Sequence, residues 1–164
     1  MITVNYVNGN LLTLAKKKKW SAIAHGCNCF CKMGKGVAYN IVRKYPSVKL
    51  ADENTIQGDA NKLGGFTYVQ TSDGFYVFNL YTQYHYSNVN KVIQYPALRD
   101  ALIRMVNRLS KLVPEGELII GMPYIGSNNA GGTRKEFMDT LLETLSEYEG
   151  NRLITVNVVD YSPM

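Results

Sequence analysis

No stretch of the chain approaches the roughly 20 consecutive apolar residues that a membrane-crossing helix needs. The amino terminus, Met1-Ile2-Thr3-Val4-Asn5-Tyr6-Val7, also lacks the basic-then-apolar order of a secretory signal. The reading is a protein that stays in the cytosol where it is made, with no membrane partner. Cysteine is scarce, and Cys27, Cys29 and Cys31 are all there is. An odd number packed into five residues is a poor disulfide framework and suits a reducing compartment. Beside His25 this run invites a zinc reading, but zinc-binding cysteine pairs stand two to four residues apart and these stand one apart. Small residues packing a tight loop, and no metal, are expected. The phosphate-loop signature Gly-x-x-x-x-Gly-Lys-[Ser/Thr] is missing, and so is the dinucleotide fingerprint Gly-x-Gly-x-x-Gly, which excludes the commonest nucleotide-binding folds. Repeats and low-complexity segments are absent as well.

What is present is an ordinary globular composition. The 164 residues are 46% hydrophobic and 19% charged, with Tyr enriched at 12. One domain spanning 1–164 is expected, large enough to bury a core without staples and expected to be a monomer. A net charge of +5 favours anionic partners through the positive field it sets up. The lysine run Lys16 to Lys19 reads as a solvated turn, with a nucleic-acid contact as the lesser alternative.

Apolar and β-branched runs at 2–7 and 20–25 read as strands, the first closed by Asn8-Gly9-Asn10. From Val37 the apolar residues recur at helical spacing as far as Tyr45, where Pro46 is expected to stop the helix. Residues 66–70 and 75–82 form a hairpin across the Asp73-Gly74 turn. A long amphipathic helix follows over 95–112, with Pro96 acceptable in its first turn. Residues 118–122 read as a buried central strand. Thr133 and Glu136 form a capping box ahead of a helix, and 153–159 is the last strand. This order predicts an α/β protein, a three-layer α-β-α sandwich around a mixed sheet.

Two strand-to-helix loops are suited to holding anions. Residues 26–36 enter a helix whose first amides lack intrahelical acceptors, and Gly34 and Gly36 let a ligand approach the backbone. A lone Gly-x-Gly is more often a turn without a ligand. Residues 123–132, however, repeat the arrangement with Gly, Ser and Asn, which tolerate the backbone needed to aim successive amides at one point. Two cradles at one sheet edge point to a ligand with two phosphates.

Four segments together carry a family resemblance: Gly9-Asn10-Leu11-Leu12, Ala24-His25-Gly26-Cys27-Asn28, Met33-Gly34-Lys35-Gly36-Val37-Ala38 and Pro123-x-Ile125-Gly126. In order and spacing the chain resembles a macro domain over nearly its whole length. It looks most like the branch that holds the terminal ADP-ribose protein glycohydrolase, the yeast ADP-ribose 1″-phosphate phosphatase and related bacteriophage proteins. The resemblance implies an ADP-ribose pocket that needs no cofactor. Gly9, Asn10 and Leu11 would meet adenine, with Asn10 standing where the family has an acidic acceptor. Asn28 would contact the distal ribose, and Met33, Gly34, Lys35, Gly36 and Val37 would pack against that ribose and a phosphate. Pro123 and the loop Ile125, Gly126, Ser127, Asn128, Asn129 and Ala130 would hold the diphosphate.

The departures bear on catalysis. Gln83 stands where glycohydrolases of the family carry a Lys, and a Gln cannot form a Schiff base. The diphosphate loop lacks the family's acidic residue, since Asn129, Ala130 and Thr133 occupy its region. What remains near the distal ribose is His25, Asn28 and Lys35, a set suited to polarising a phosphate and moving a proton, with His25 and Asn28 expected to catalyse and His25 to transfer the proton. The competing reading is a satisfied core histidine, and His85 is a weaker candidate expected at the surface. The leading expectation is a phosphatase acting on ADP-ribose 1″-phosphate. The alternatives are a non-catalytic binder of ADP-ribose or a related nucleotide, and an ADP-ribosyl hydrolase acting on modified protein or nucleic acid. The phage-like match would place the protein in a host cytoplasm.

Overall fold

A computed structural model describes residues 1–87, 91–128 and 130–161. In chain order the elements are β1 (Ile2–Gly9), α1 (Leu11–Lys17), β2 (Ala22–Asn28), α2 (Gly36–Lys44) and α3 (Pro46–Glu53). After a single 3-10 turn at Ala60–Lys62 come β3 (Phe66–Gln70), β4 (Tyr76–Gln83), α4 (Tyr95–Leu112), β5 (Leu118–Met122), α5 (Arg134–Ser146) and β6 (Ile154–Tyr161). The strands form one sheet in the order β1-β6-β5-β2-β4-β3. All neighbours are parallel except β3, which returns antiparallel along β4. This is the expected mixed sheet between two helical layers.

Burial on both faces explains the composition of the central strands. Along β2, Ala22 and Ala24 join the core beneath Leu98, Leu102 and Met105 of α4 and Phe137 of α5. Ile23 and Cys27 point the other way, into a second core with Leu11 of α1, Ile41 of α2 and Val48 of α3. The capping box at α5 forms as expected, with Thr133 Oγ1 accepting from Glu136 N at 3.1 Å and Glu136 Oε1 accepting from Thr133 N at 3.1 Å. No helix among the described residues is long and apolar enough to cross a membrane.

Two helices depart from the sequence expectations. Residues 8–10 do not simply close a turn, because Asn10 caps α1, its Oδ1 accepting from Leu12 N at 3.1 Å and Thr13 N at 3.0 Å. Seven residues are too few to hold a helix in isolation, and burial of Leu11, Leu12 and Ala15 supplies the rest. Lys16 and Lys17 are therefore the last turn of a helix rather than a free turn. Pro46 does end α2, but it also opens α3 at the first helical position, where its missing N–H has no bond to lose.

Candidate functional site

Because β2 and β5 run in the same direction, the loops that leave them emerge at one edge of the sheet. Between these loops lie two cavities, of about 350 Å³ and about 760 Å³, that share Gly26, Lys35, Ala38 and Gln83 in their walls. Adjacent and with walls in common, they line a groove across the ends of the parallel strands, where open α/β sheets place their ligands.

The smaller cavity is lined by several of the residues that the sequence reading put forward for a phosphate cradle. Its walls include Lys35, Gly36 and Val37 from the start of α2, and Pro123, Ile125, Gly126, Ser127, Asn128 and Ala130 from the loop after β5. Lys35 occupies the N-cap without a side-chain capping bond, which leaves first-turn amides of α2 free for an anion. The opposing loop is held in shape by Ser127 Oγ donating to Tyr124 O at 2.7 Å and Gly132 N donating to Gly126 O at 2.8 Å. Gly126 adopts φ +80°, and a Cβ there would lie 2.6 Å from Ile93 Cγ1. Only glycine meets both demands. Asn129 lies outside the described residues.

Asn28, Met33, Gly34 and Lys35 border the larger chamber. The carboxamide of Asn28 is occupied with the loop itself. Its Oδ1 accepts from Phe30 N at 2.9 Å and Lys32 N at 3.3 Å, and its Nδ2 donates to Lys32 O at 2.8 Å. Asn28 thus shapes the chamber wall. Asn28→Ala is expected to lower the unfolding free energy by about 1–3 kcal/mol, because these backbone groups lose their partners in a half-buried setting. Urea denaturation checks this, and a loss below about 0.5 kcal/mol would show that the loop keeps its shape unaided.

Several expected site residues are placed elsewhere. Gly9, Asn10 and Leu11 border neither cavity. Asn10 is consumed as the α1 cap, Leu11 is fully buried, and Gly9 lies beneath Leu14. The polar groups at that end of the groove are Asp160 at the end of β6, Asn40 and Arg134. Arg134 clamps both oxygens of Asp160 at 2.8 and 3.2 Å and lies over the Tyr124 ring at 4.4 Å. An acidic residue closing the last strand was the available sequence signal.

His25 is corrected more sharply. Its residue borders the smaller cavity, yet it is 1% exposed. Its Nε2 donates to Asn79 Oδ1 at 2.6 Å, and the Cys27 sulfur is 3.6 Å away. Alternation along β2 sends position 25 to the side of Ile23 and Cys27, toward α3, and the site lies beyond the strand end. Burial lowers the imidazole to a pKa of about 4, partly opposed by the Asn79 hydrogen bond. A neutral, sequestered ring is a core histidine. His85 lies on the exposed side of the chamber, its Nδ1 accepting from Ser87 N at 3.0 Å.

The chamber also uses residues that the sequence reading passed over. α3 contributes Lys49 and Glu53, one turn apart, and the loops contribute Phe30, Lys32 and Tyr86. Reading Pro46 as a stop hid α3 and with it this wall. α3 is fixed to the sheet by Tyr81, whose hydroxyl donates to Asp52 Oδ1 at 2.7 Å, and by Asn79, whose Nδ2 donates to Val48 O at 3.2 Å. Burial raises the Asp52 carboxyl above its ordinary value, and the Tyr81 bond opposes that shift. Gln83 Nε2 donates to His85 O at 2.8 Å, so the position that could have held a nucleophilic Lys instead ties down the chain beside the groove. The described residues bring no three metal-ligating side chains together.

Comparison with solved structures identifies the architecture as that of a macrodomain. The macrodomain of Thermus aquaticus DarG superposes with a TM-score of 0.72 at 23% identity, covering 99% of this chain and 100% of that one. An Oceanobacillus iheyensis macrodomain with ADP superposes with a TM-score of 0.68 at 17% identity, over 96% of this chain and 82% of that one. No family model matches the sequence. The chain is 32% identical to an uncharacterised 17.5 kDa protein from the tk–vs intergenic region of Enterobacteria phage T4, over 98% of both chains. It belongs to the family of that phage protein, a family with the macrodomain fold. It is also 25% identical to an ADP-ribose 1″-phosphate phosphatase of Lodderomyces elongisporus, over 92% of this chain and 97% of that one.

Proposed function

We propose that the groove binds ADP-ribose and that the protein removes the terminal phosphate of ADP-ribose 1″-phosphate. The observation that carries this reading is the adjacency of the two cavities, which share Gly26 and Lys35 in their walls. A diphosphate lies between the glycine loop and the first turn of α2, with the adenosine toward Asp160. The distal ribose reaches the junction, and its 1″-phosphate meets Lys35. The phosphatase relative and the neighbour holding ADP support the ligand class.

Burial of His25 does not block such chemistry. Phosphoryl transfer depends mainly on positioning and on neutralising charge in a loose transition state, rather than on a covalent step by the protein. Water attacks phosphorus, the bond from phosphorus to the 1″ oxygen breaks, a proton from the attacking water passes to that oxygen, and ADP-ribose and inorganic phosphate leave. Lys35 and the α2 amides provide the charge stabilisation. The test is release of inorganic phosphate from ADP-ribose 1″-phosphate in the presence of a chelator. Release at least tenfold above a Lys35→Ala variant is expected, and equal rates would overturn the assignment.

A second reading, a binder without turnover, is favoured by the sequestered His25 ring and by Gln83. Calorimetry with ADP-ribose beside the phosphatase assay separates the two. Heat of binding without phosphate release selects the binder, and no heat at all overturns both.

A further inference from the structure

β1 ends the sheet on one side, with β6 as its only ladder partner among the described residues. The outer side of its backbone therefore presents a row of N–H and C=O groups open to another strand. None of its residues is buried, and Thr3, Asn5, Tyr6 and Asn8 are exposed outright. Proteins blunt such an edge with charge, proline, a bulge or brevity. β1 uses none of these. Ile2-Thr3-Val4-Asn5-Tyr6-Val7-Asn8-Gly9 holds no charged residue and no proline, and its register with β6 runs unbroken from Ile2↔Ile154 to Gly9↔Tyr161. The opposite edge is shorter, since β3 has five residues, and Arg108 lies over its Tyr68 ring at 5.8 Å.

We propose that β1 pairs antiparallel with β1 of a second copy of this chain, about a two-fold axis at Asn5, and joins the two sheets into one. In that register the strand is complementary to itself, with position 4 opposite 6, 3 opposite 7 and 5 opposite 5, each pair on one face. Alternation puts Ile2, Val4 and Tyr6 on the side of the α4 and α5 core, and Asn5 and Val7 on the other. Tyr6, 63% exposed, then lies beside the partner's Val4, and the axis repeats that contact. On the other face Asn5 Nδ2 donates to Asn157 Oδ1 at 3.3 Å, which leaves its second amide proton and its Oδ1 for the partner's Asn5.

A second copy suits this edge better than a charged partner does. The chain carries +5 overall, yet two copies meeting along β1 set no like charges opposite each other. The contact also closes on itself, because a two-fold pairing uses both β1 edges and leaves only β3 at the ends of the joined sheet. Antiparallel neighbours run in opposite directions, so the two ligand grooves open at opposite edges and stay clear of the contact. A ladder over residues 2–8 is roughly 24 Å long, less than a standard interface of about 1,200–2,000 Å² requires. A dissociation constant of roughly 10–100 µM is therefore expected, and below that concentration the monomer expected from the sequence predominates.

The experiment is sedimentation velocity of the full chain from about 5 µM to about 500 µM, joined to a cross-linking test of the register. The parent is expected to pass from monomer to dimer across that range. Asn5→Lys sets two ammonium groups against each other on the axis and is expected to weaken the dimer at least tenfold. Tyr6→Lys places a charge against the partner's Val4 without touching Asn157, and the same loss is expected from it should Asn5→Lys fail to fold. Asn5→Cys is expected to form a disulfide-linked dimer on mild oxidation, because residues directly opposite have Cα atoms about 4.5–5.5 Å apart, within disulfide reach. Tyr6→Cys stands beyond the roughly 7 Å limit from its own counterpart and should stay unlinked, as should the parent. A parent that is monomeric at the highest concentration overturns the proposal. A dimer that the folded lysine variants leave intact also overturns it, as does Asn5→Cys that fails to link or that links no more readily than Tyr6→Cys.

Discussion

Gly126→Ala is expected to weaken ADP-ribose binding by roughly a hundredfold, about 2.8 kcal/mol. The backbone at this position has φ +80°, a region that costs a residue with a Cβ about 1–2 kcal/mol. The added methyl would also lie 2.6 and 2.7 Å from Ile93 Cγ1 and Cδ1. The loop cannot relax by pushing Ile93 aside, because Ile93 is 6% exposed and its backbone is tied to Ala130. The segment proposed to hold the diphosphate must move instead, and the affinity of such a loop would depend on amides already aimed at the ligand. Calorimetry with ADP-ribose reads the effect. Adding Ile93→Ala removes the two closest contacts but leaves Ile93 Cβ at 3.1 Å and the unfavourable φ, so the double variant should recover about tenfold. Affinity of Gly126→Ala within threefold of the parent would show that this loop does not hold the ligand.

The second large effect is on stability against pH. The His25 imidazole has a folded pKa of about 4 against an ordinary 6.5. Between these values the unfolded chain takes up a proton that the folded chain refuses, so stability rises with pH across this window and is lost as pH falls through it. Above 6.5 the group contributes no pH dependence. From pH 7.5 to pH 4.5 the loss attributable to His25 should be on the order of 2–3 kcal/mol. Asp52 acts in the opposite sense, since its raised folded pKa adds stability on acidification. The difference between the parent and His25→Gln therefore isolates the histidine. The glutamine amide can still donate to Asn79 Oδ1, and its unfolding free energy should fall less between the two pH values. ADP-ribose affinity at pH 7.5 should match that of the parent. Parallel stability profiles for the two proteins would contradict the buried neutral ring, and a large loss of affinity would return His25 to the site.

Much of the molecule was legible because local chemistry and tertiary demand agree. The hairpin of β3 and β4, the long α4, the capping box of α5 and the two strand-to-helix loops all appear where propensity, periodicity and turn residues put them. The short helices did not announce themselves. α1 exists because Leu11, Leu12 and Ala15 are buried, and α3 because Pro46 can start a helix as well as end one.

The site divides in the same way. Glycine and small polar residues after β2 and β5 are local signals, so the two loops that line the smaller cavity could be read directly. Asn10 could not be assigned, because the same side chain serves as a ligand acceptor or as a helix cap, and only the position of α1 decides. His25 turns on strand parity and on which layer its face meets. The lysine and aromatic chamber is assembled from the loop after β2, from α3 and from the chain following β4, segments dozens of residues apart. The sequence by itself determined the layered α/β architecture and the two glycine-bearing strand-to-helix loops, since these follow from patterns within ten or twenty neighbouring residues. Tertiary structure alone decided that His25 is core, that Asn10 is a cap and that a lysine-bearing chamber adjoins the smaller cavity, because each depends on packing between elements distant in the chain.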